Sequence, residues 1–243
     1  MKACLQDQAV PRDDRDLYDL RYFYVDGKGV GHYTCGVAFE TMMRILRSRR
    51  ELFCASGWYS TVRKSTNPVV RGFIAEQICL SSIANDGLTT IHDDLGPMPI
   101  ATFETVPDWY PFLNSGHTHR LFIPTAYNFK AVDGVILLLN RSGKSALMLP
   151  IQFTLSPRHR SSDDVFYTTM WWEWVRPLEE AGFKVESTFV WIDPNQPADE
   201  IKDVVIKAFR HNEKTVRPGY RAKHIEVEKV DLKLASALGI VTC

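Results

Sequence analysis

Between residues 121 and 159 the chain sets long apolar runs against short polar breaks. Residues 131–139 (AVDGVILLL) and 146–154 (ALMLPIQFT) are aliphatic or β-branched, and Asn140-Arg141-Ser142-Gly143-Lys144-Ser145 separates them. The pattern predicts two strands joined by a polar turn, with Gly143 supplying a positive φ. Runs this continuous predict strands covered on both faces. Pro150 in the second run predicts an edge strand or a bulge.

Elsewhere the period changes. Residues 35–47 and 161–181 repeat their apolar positions at helical spacing; in the second, Phe166, Met170, Trp174 and Leu178 lie four apart, and Trp171 and Val175 widen that face. Ser161-Ser162-Asp163-Asp164 offers a capping pattern with an acidic first turn, and Gly182 ends the helix. Ser65-Thr66-Asn67-Pro68 starts another helix, with proline at the first helical position, that should end at Asp86-Gly87. Helices are also expected over 198–210 and 232–238. Strands are expected over 17–25, 100–105, 119–124, 185–192 and 224–227, with a turn at Asp193-Pro194-Asn195. Residues 1–16 are polar and read as a poorly ordered arm.

Three polar intrusions interrupt the apolar pattern. Asp133 is the single charge of its run, and Gln152 and Thr154, two apart on the next strand, share a face. Glu76 falls within the apolar stripe of the helix that starts at Pro68, between Phe73 and Leu80. A buried carboxylate costs several kcal/mol unless paired or metal-bound. Bland explanations exist for each: an Asp133-Gly134 bulge with local backbone bonds, a main-chain partner for Gln152, and a salt bridge from Glu76 to Arg71.

Composition narrows the class without deciding it. The 243 residues are 45% hydrophobic and 24% charged, enough for one good core. Twenty-nine basic residues balance 29 acidic ones, so nucleic-acid binding would need a local patch rather than a global field. No run has the length of a membrane span, and residues 1–10 hold no apolar signal core. Cys4, Cys35, Cys54, Cys79 and Cys243 lack metal spacing and read as reduced thiols in a cytosolic or nuclear protein. Weaker signals favour ordinary structure. Gly27-x-Gly29-x-Gly31 reads as a turn rather than a nucleotide loop, and Arg44, Arg47, Arg49 and Arg50 as a solvated helix end. His92, Asp93 and Asp94 sit in what Gly96, Pro97 and Pro99 mark as a solvated loop, and His117-x-His119 lacks a matching second pair of metal ligands. With no internal repeat or low-complexity linker, one domain with an N-terminal extension is expected.

The expected order from residue 68 to 192 is helix, strand, strand, strand, helix, strand, with Glu76, Asp133 and Gln152-x-Thr154 placed on its parts. This arrangement resembles the core of the PD-(D/E)XK nuclease superfamily. Closer still, Arg71-Gly72-Phe73-x-x-Glu76, Phe122-Ile123-Pro124, Asn128-Phe129, Ala131-Val132-Asp133-Gly134 and Gln152-Phe153-Thr154-Leu155-Ser156 with His159 resemble the nuclease-like modules of Crinkler-type effectors and retrotransposon-hot-spot proteins. The resemblance covers roughly the middle half of the chain. It implies an α/β fold with a restriction-endonuclease-like αβββαβ core, a central mixed sheet flanked by helices, spanning 65–243, and an extension over 1–64 packed on that core. It implies Mg²⁺, or Mn²⁺, held by Glu76, Asp133 and Gln152 for hydrolysis of DNA phosphodiesters. Such a metal polarises the phosphoryl oxygen and supplies hydroxide near neutral pH. Arg120, Lys130, Arg158 and Arg160 are the expected phosphate contacts. The family pattern is broken where it matters: Gln152 replaces an acid, and Thr154 replaces the lysine that orients water. Lys144, Arg158 or His159 are candidates for that lost role, His159 because its pKa lies near working pH. The sequence therefore carries two principal readings: a metal-dependent nuclease acting on double-stranded DNA, or a degenerate fold that binds nucleic acid or a host protein without cleaving. A third is an accessory domain serving an attached module. The resemblance implies a nuclear site of action and no membrane.

Overall fold

A computed structural model of the chain describes residues 23–25, 31–33, 57–65, 68–126, 129–155, 161–194, 203–211 and 214–240. The chain divides into two compact units, Met1–Ile78 and Cys79–Cys243. The first unit contains a short antiparallel pair, β1 (Phe23–Val25) and β2 (Gly31–Tyr33), and helix α1 (Gly57–Lys64), on which Trp58 and Val62 are buried. Helix α2 (Pro68–Asp86) begins at the proline that the sequence marks and ends where Gly87 takes φ +86°. The expected helix over 35–47 and the glycine turn after Val25 lie outside the described residues.

The second unit is organised on a seven-stranded mixed sheet flanked by helices. Its strands are β3 (Ile100–Phe103), β4 (His119–Pro124), β5 (Gly134–Asn140), β6 (Ser145–Phe153), β7 (Lys184–Asp193), β8 (Asp203–Ile206) and β11 (Tyr220–Glu226). Their spatial order is β3-β4-β5-β6-β7-β11-β8. β4, β5 and β6 form an antiparallel meander, and β7 then lies parallel to β6. A parallel neighbour needs a crossover. Helices α4 (Ser162–Thr169) and α5 (Trp171–Glu180) provide it, while the one-turn α3 (Tyr110–Leu113) precedes β4. β9 (Phe209–His211) and β10 (Lys214–Arg217) form a separate hairpin, and α6 (Val227–Val230) and α7 (Leu232–Leu238) follow β11.

The crossover helices cover one face of the sheet with aromatic rings. Phe166 and Tyr167 of α4 lie 6.3 and 6.4 Å from the Phe189 ring on β7, and Trp174 of α5 packs edge-on against Phe103, Trp109 and Phe166. The indole Nε1 of Trp109 donates to the Trp174 carbonyl at 2.8 Å, so its one polar group is satisfied inside the core. Tyr167 stacks on Tyr220 at 3.8 Å, and burial pushes both hydroxyls above their ordinary range, with the Asp163 charge adding to the shift at Tyr220. On the opposite face, Leu80 of α2 approaches Gly134 so closely that a Cβ there would lie 3.2 Å from it. Both central strands are thus nearly continuously buried, as their unbroken apolar runs predict.

Five sequence expectations are corrected. Residues 198–210 contain no helix among those described; 203–206 and 209–211 are strands, and β-branched Val204, Val205 and Ile206 fit an extended edge better than a helix. The expected single helix over 161–181 is broken at Met170 (φ −115°), just after Thr168 and Thr169 turn their hydroxyls onto the Asp164 and Val165 carbonyls at 2.7 Å. Ser161 makes no side-chain cap. In the β5–β6 turn it is Lys144 (φ 49°), not Gly143, that takes the positive φ. Gly143 is needed for room: a Cβ would sit 3.0 Å from the Asn140 amide, whose Oδ1 accepts from Gly143 N at 2.8 Å. Pro150 marks neither an edge nor a bulge. It lies buried in a central strand, where the β6–β7 ladder skips Leu149 and Pro150 and resumes in the same register.

Candidate functional site

The chain enters β5 through a strained backbone. Ala131 has φ 74°, a conformation that costs an L-residue with a Cβ roughly 1–2 kcal/mol. Two residues later Asp133 is 7% exposed, and its backbone N–H donates to the Ile151 carbonyl at 2.8 Å. The ladder continues from Gly134–Ile151 to Asn140–Ser145 without a bulge. Asp133 therefore sits level with Gln152 on the adjacent strand.

The two side chains meet. The Gln152 amide Nε2 donates to Asp133 Oδ2 at 2.7 Å, and the Phe153 backbone N–H donates to the same oxygen at 2.7 Å. Gln152 Nε2 also approaches the Phe153 carbonyl at 3.2 Å. These donors compensate a buried carboxylate that would otherwise cost several kcal/mol. Thr154, 8% exposed, follows on the same face, and its N–H extends the parallel ladder to the Ile192 carbonyl at 3.0 Å.

Strand register adds neighbours that sequence reading missed. Gln152 is paired with Trp191, and Trp191 with His224, whose rings stack at 6.0 Å. One step further along, Thr154 is level with Asp193, and Asp193 is paired with Glu226. Asp193, 7% exposed, closes β7 rather than opening the expected turn. The signal available was parity: Phe189, Trp191 and Asp193 alternate along one side of an apolar strand. Asp133, Gln152, Thr154, Asp193 and Glu226 thus gather near the carboxyl ends of β6, β7 and β11, the place where open α/β sheets bind ligands.

Glu76 belongs to the first unit, half-buried, and its Oε1 accepts from Gln77 Nε2 at 2.8 Å. Arg120, on β4 opposite Leu137, lays its guanidinium 5.4 Å from the Phe112 ring centre. Lys130 is exposed, three residues before Asp133. Lys144 lies at the opposite end of β6, with Nζ 5.0 Å from the Phe183 ring centre. At ~3.3 Å per residue the nine-residue strand separates it from Gln152 by more than 20 Å, beyond a lysine's reach. Arg158, His159 and Arg160 lie outside the described residues. His92 Nδ1 accepts from the Asp94 backbone at 3.2 Å, and His119 Nε2 lies 3.2 Å from the Pro97 carbonyl, so local partners account for both. Among the described residues no three His, Cys, Asp or Glu side chains are grouped to share a metal ion, and no helix is long and apolar enough to cross a membrane. An open groove of about 1550 Å³ crosses the sheet beside the β5–β6 turn, lined by Leu138, Leu147, Thr188, Val205, Arg221 and Lys223 among others. None of the sequence-predicted site residues among those described lines it.

The donor set tests whether a divalent cation suits the second unit's part of the site. Mg²⁺ takes carboxylate, carbonyl and water oxygens. Here one carboxylate is present from the predicted set, one of its oxygens already accepts from two N–H groups, and Gln152 turns its amide nitrogen, not its carbonyl, toward that oxygen. As arranged, the Asp133–Gln152 pair does not fit a cation held between its members. No family model, curated protein or solved structure matches the chain.

Proposed function

We propose that this chain is a nuclease-like domain of the Crinkler and retrotransposon-hot-spot kind that binds DNA without cutting it. The observation that carries the reading is the hydrogen bond from Gln152 Nε2 to Asp133 Oδ2 at 2.7 Å. The element order around it, an antiparallel meander followed by a parallel strand, is compatible with the PD-(D/E)XK core to which the sequence motifs point. Within that frame a glutamine at position 152 satisfies the buried Asp133 with N–H donors, where an acid would need a cation between two negative charges. Thr154 offers a hydroxyl in place of an ammonium and cannot supply the positive charge that orients an attacking water. Exposed Lys130 is the described basic residue nearest Asp133 in the chain, and phosphate contacts are expected from it.

The test pairs cleavage with binding. Purified protein is incubated with supercoiled plasmid and linear duplex in Mg²⁺ or Mn²⁺, and the same duplex is run in a gel-shift assay with and without EDTA. The expected result is intact DNA, a shift that survives EDTA, and a shift weakened by Lys130→Glu. Metal-dependent cutting that is lost in Asp133→Ala would overturn the reading and make the protein a nuclease. Neither cutting nor shift would also overturn it and direct the search to protein partners.

A further inference from the structure

The seven-stranded sheet ends on β8, which pairs with β11 along one side. The exposed side of this edge is unusually apolar at its centre: Val205 is 70% exposed and Val204 46%. Sheet edges that present apolar residues invite pairing with another strand, and monomeric proteins guard them with charge. Among the described residues the charges flanking Val205 are Asp203 and Lys207, both exposed, two residues to either side of it. They are of opposite sign. Guarding charges of one sign would repel a second copy of the same strand; opposite signs placed symmetrically about a central residue do the reverse.

We propose that β8 is a self-association edge, at which two copies of the chain pair antiparallel about a twofold axis through Val205. In that register Asp203 lies opposite Lys207 of the second copy, and Lys207 opposite its Asp203. Val204 and Ile206 meet each other in the same reciprocal way, and the two Val205 side chains meet at the axis. Asp203 and Val205 alternate onto one side of β8, and Lys207, just past its end, lines the same groove as both, so the charge pairs and the central valine pair share a face. Each sheet already places Lys223 opposite Asp203 and Arg221 opposite Val205, and Asp203 then stands between two lysines. Among the described residues no ion pair within the chain engages Asp203. The Lys207 carbonyl accepts from Arg217 Nη2 at 3.0 Å, which tethers the end of the edge. Phe209, 54% exposed on the hairpin that follows, adds apolar surface close by in the chain. Such pairing is isologous and closes on itself, so it stops at a dimer. An edge this short buries well under the ~1,600 Å² of a standard interface, and association in the range of about ten to several hundred micromolar follows.

Sedimentation equilibrium on the full chain, in a concentration series reaching about 1 mM, tests this. The expected mass rises from monomer toward dimer. Asp203→Lys and Lys207→Asp each turn both charge pairs into like-charge contacts, and each should weaken dimerisation about tenfold or more. The double variant carrying both changes restores opposite charges across the axis while leaving Lys223 opposite a like charge in its own sheet, so it should dimerise more tightly than either single variant without regaining the original affinity. Val205→Lys, at a side chain the fold leaves open, should abolish dimerisation with an unchanged circular dichroism spectrum, which keeps the test valid if a single charge reversal unfolds the chain. A monomer at every concentration would overturn the proposal. So would single reversals without effect on the mass, or a double variant that stays monomeric.

Discussion

Asp133 and Asn140 stand at opposite ends of β5, and each uses one side-chain oxygen to accept two hydrogen bonds. At Asn140 the donors are Gly143 N at 2.8 Å and Ser142 Oγ at 2.9 Å, both from its own turn, in the open. At Asp133 the donors are Gln152 Nε2 and Phe153 N, both at 2.7 Å, and they come from the neighbouring strand, 19 and 20 residues away. The lengths of these bonds are nearly the same. What differs is burial and the origin of the donors. Water can replace a turn's local bonds; it cannot easily reach a carboxylate that is 7% exposed. The polar residue that merely shapes a turn and the one that marks a candidate site are thus told apart by the consequence of removing each, not by their hydrogen-bond geometry.

The largest expected effect comes from Asp133→Ala. It leaves the Gln152 amide and the Phe153 N–H without their acceptor, and unfolding in urea should show a loss of about 3 kcal/mol. A loss below that of Asn140→Ala would break the contrast. Gln152→Glu sharpens it in a different way. Two carboxylates would then meet where one N–H donor now stands, and stability without divalent ions should fall by about 2 kcal/mol. Mn²⁺ or Mg²⁺ should recover part of that loss in thermal melts, because a cation can replace the missing proton donor; absence of recovery would argue that the pocket cannot admit an ion. Asn140→Ala should cost about 1 kcal/mol, the worth of local, solvent-competed bonds. The smallest effect is a gain: Ala131→Gly should stabilise by about 0.5 kcal/mol, since relief of the positive φ exceeds the added chain entropy. A loss there would show that the Ala131 methyl packs usefully beside the site.

Much of the second unit was legible because its signals are local. The strand 119–124 and the helix 232–238 were bounded as the structure has them, and the end of α2 followed from Asp86-Gly87. For α7 the reason is visible: Asp231 accepts from Leu234 N at 2.9 Å at its start, and Gly239 adopts φ 79° at its end. Reading failed where local preference and tertiary context diverge. Residues 203–206 become strand because β11 offers them a ladder. The α4–α5 break depends on which carbonyls the two threonine hydroxyls choose, and a helical period cannot report that choice. Asp193 was hidden by the proline after it, which made a strand-end carboxylate look like a turn.

The sequence by itself determined the order of the long helices and central strands between Pro68 and Asp193, though not the one-turn α3 or the break at Met170, and it singled out Asp133, Gln152 and Thr154 as polar residues out of place. Periodicity, caps and turn residues act within a few positions, so they can be read along the chain. Only the tertiary structure decided that Gln152 turns an N–H donor to Asp133, that Lys144 stands at the far end of the strand, that Asp193 joins the same sheet end, and that β8 is left as an edge. Each of these depends on register between strands distant in sequence, and register is set by packing of whole faces rather than by any one segment.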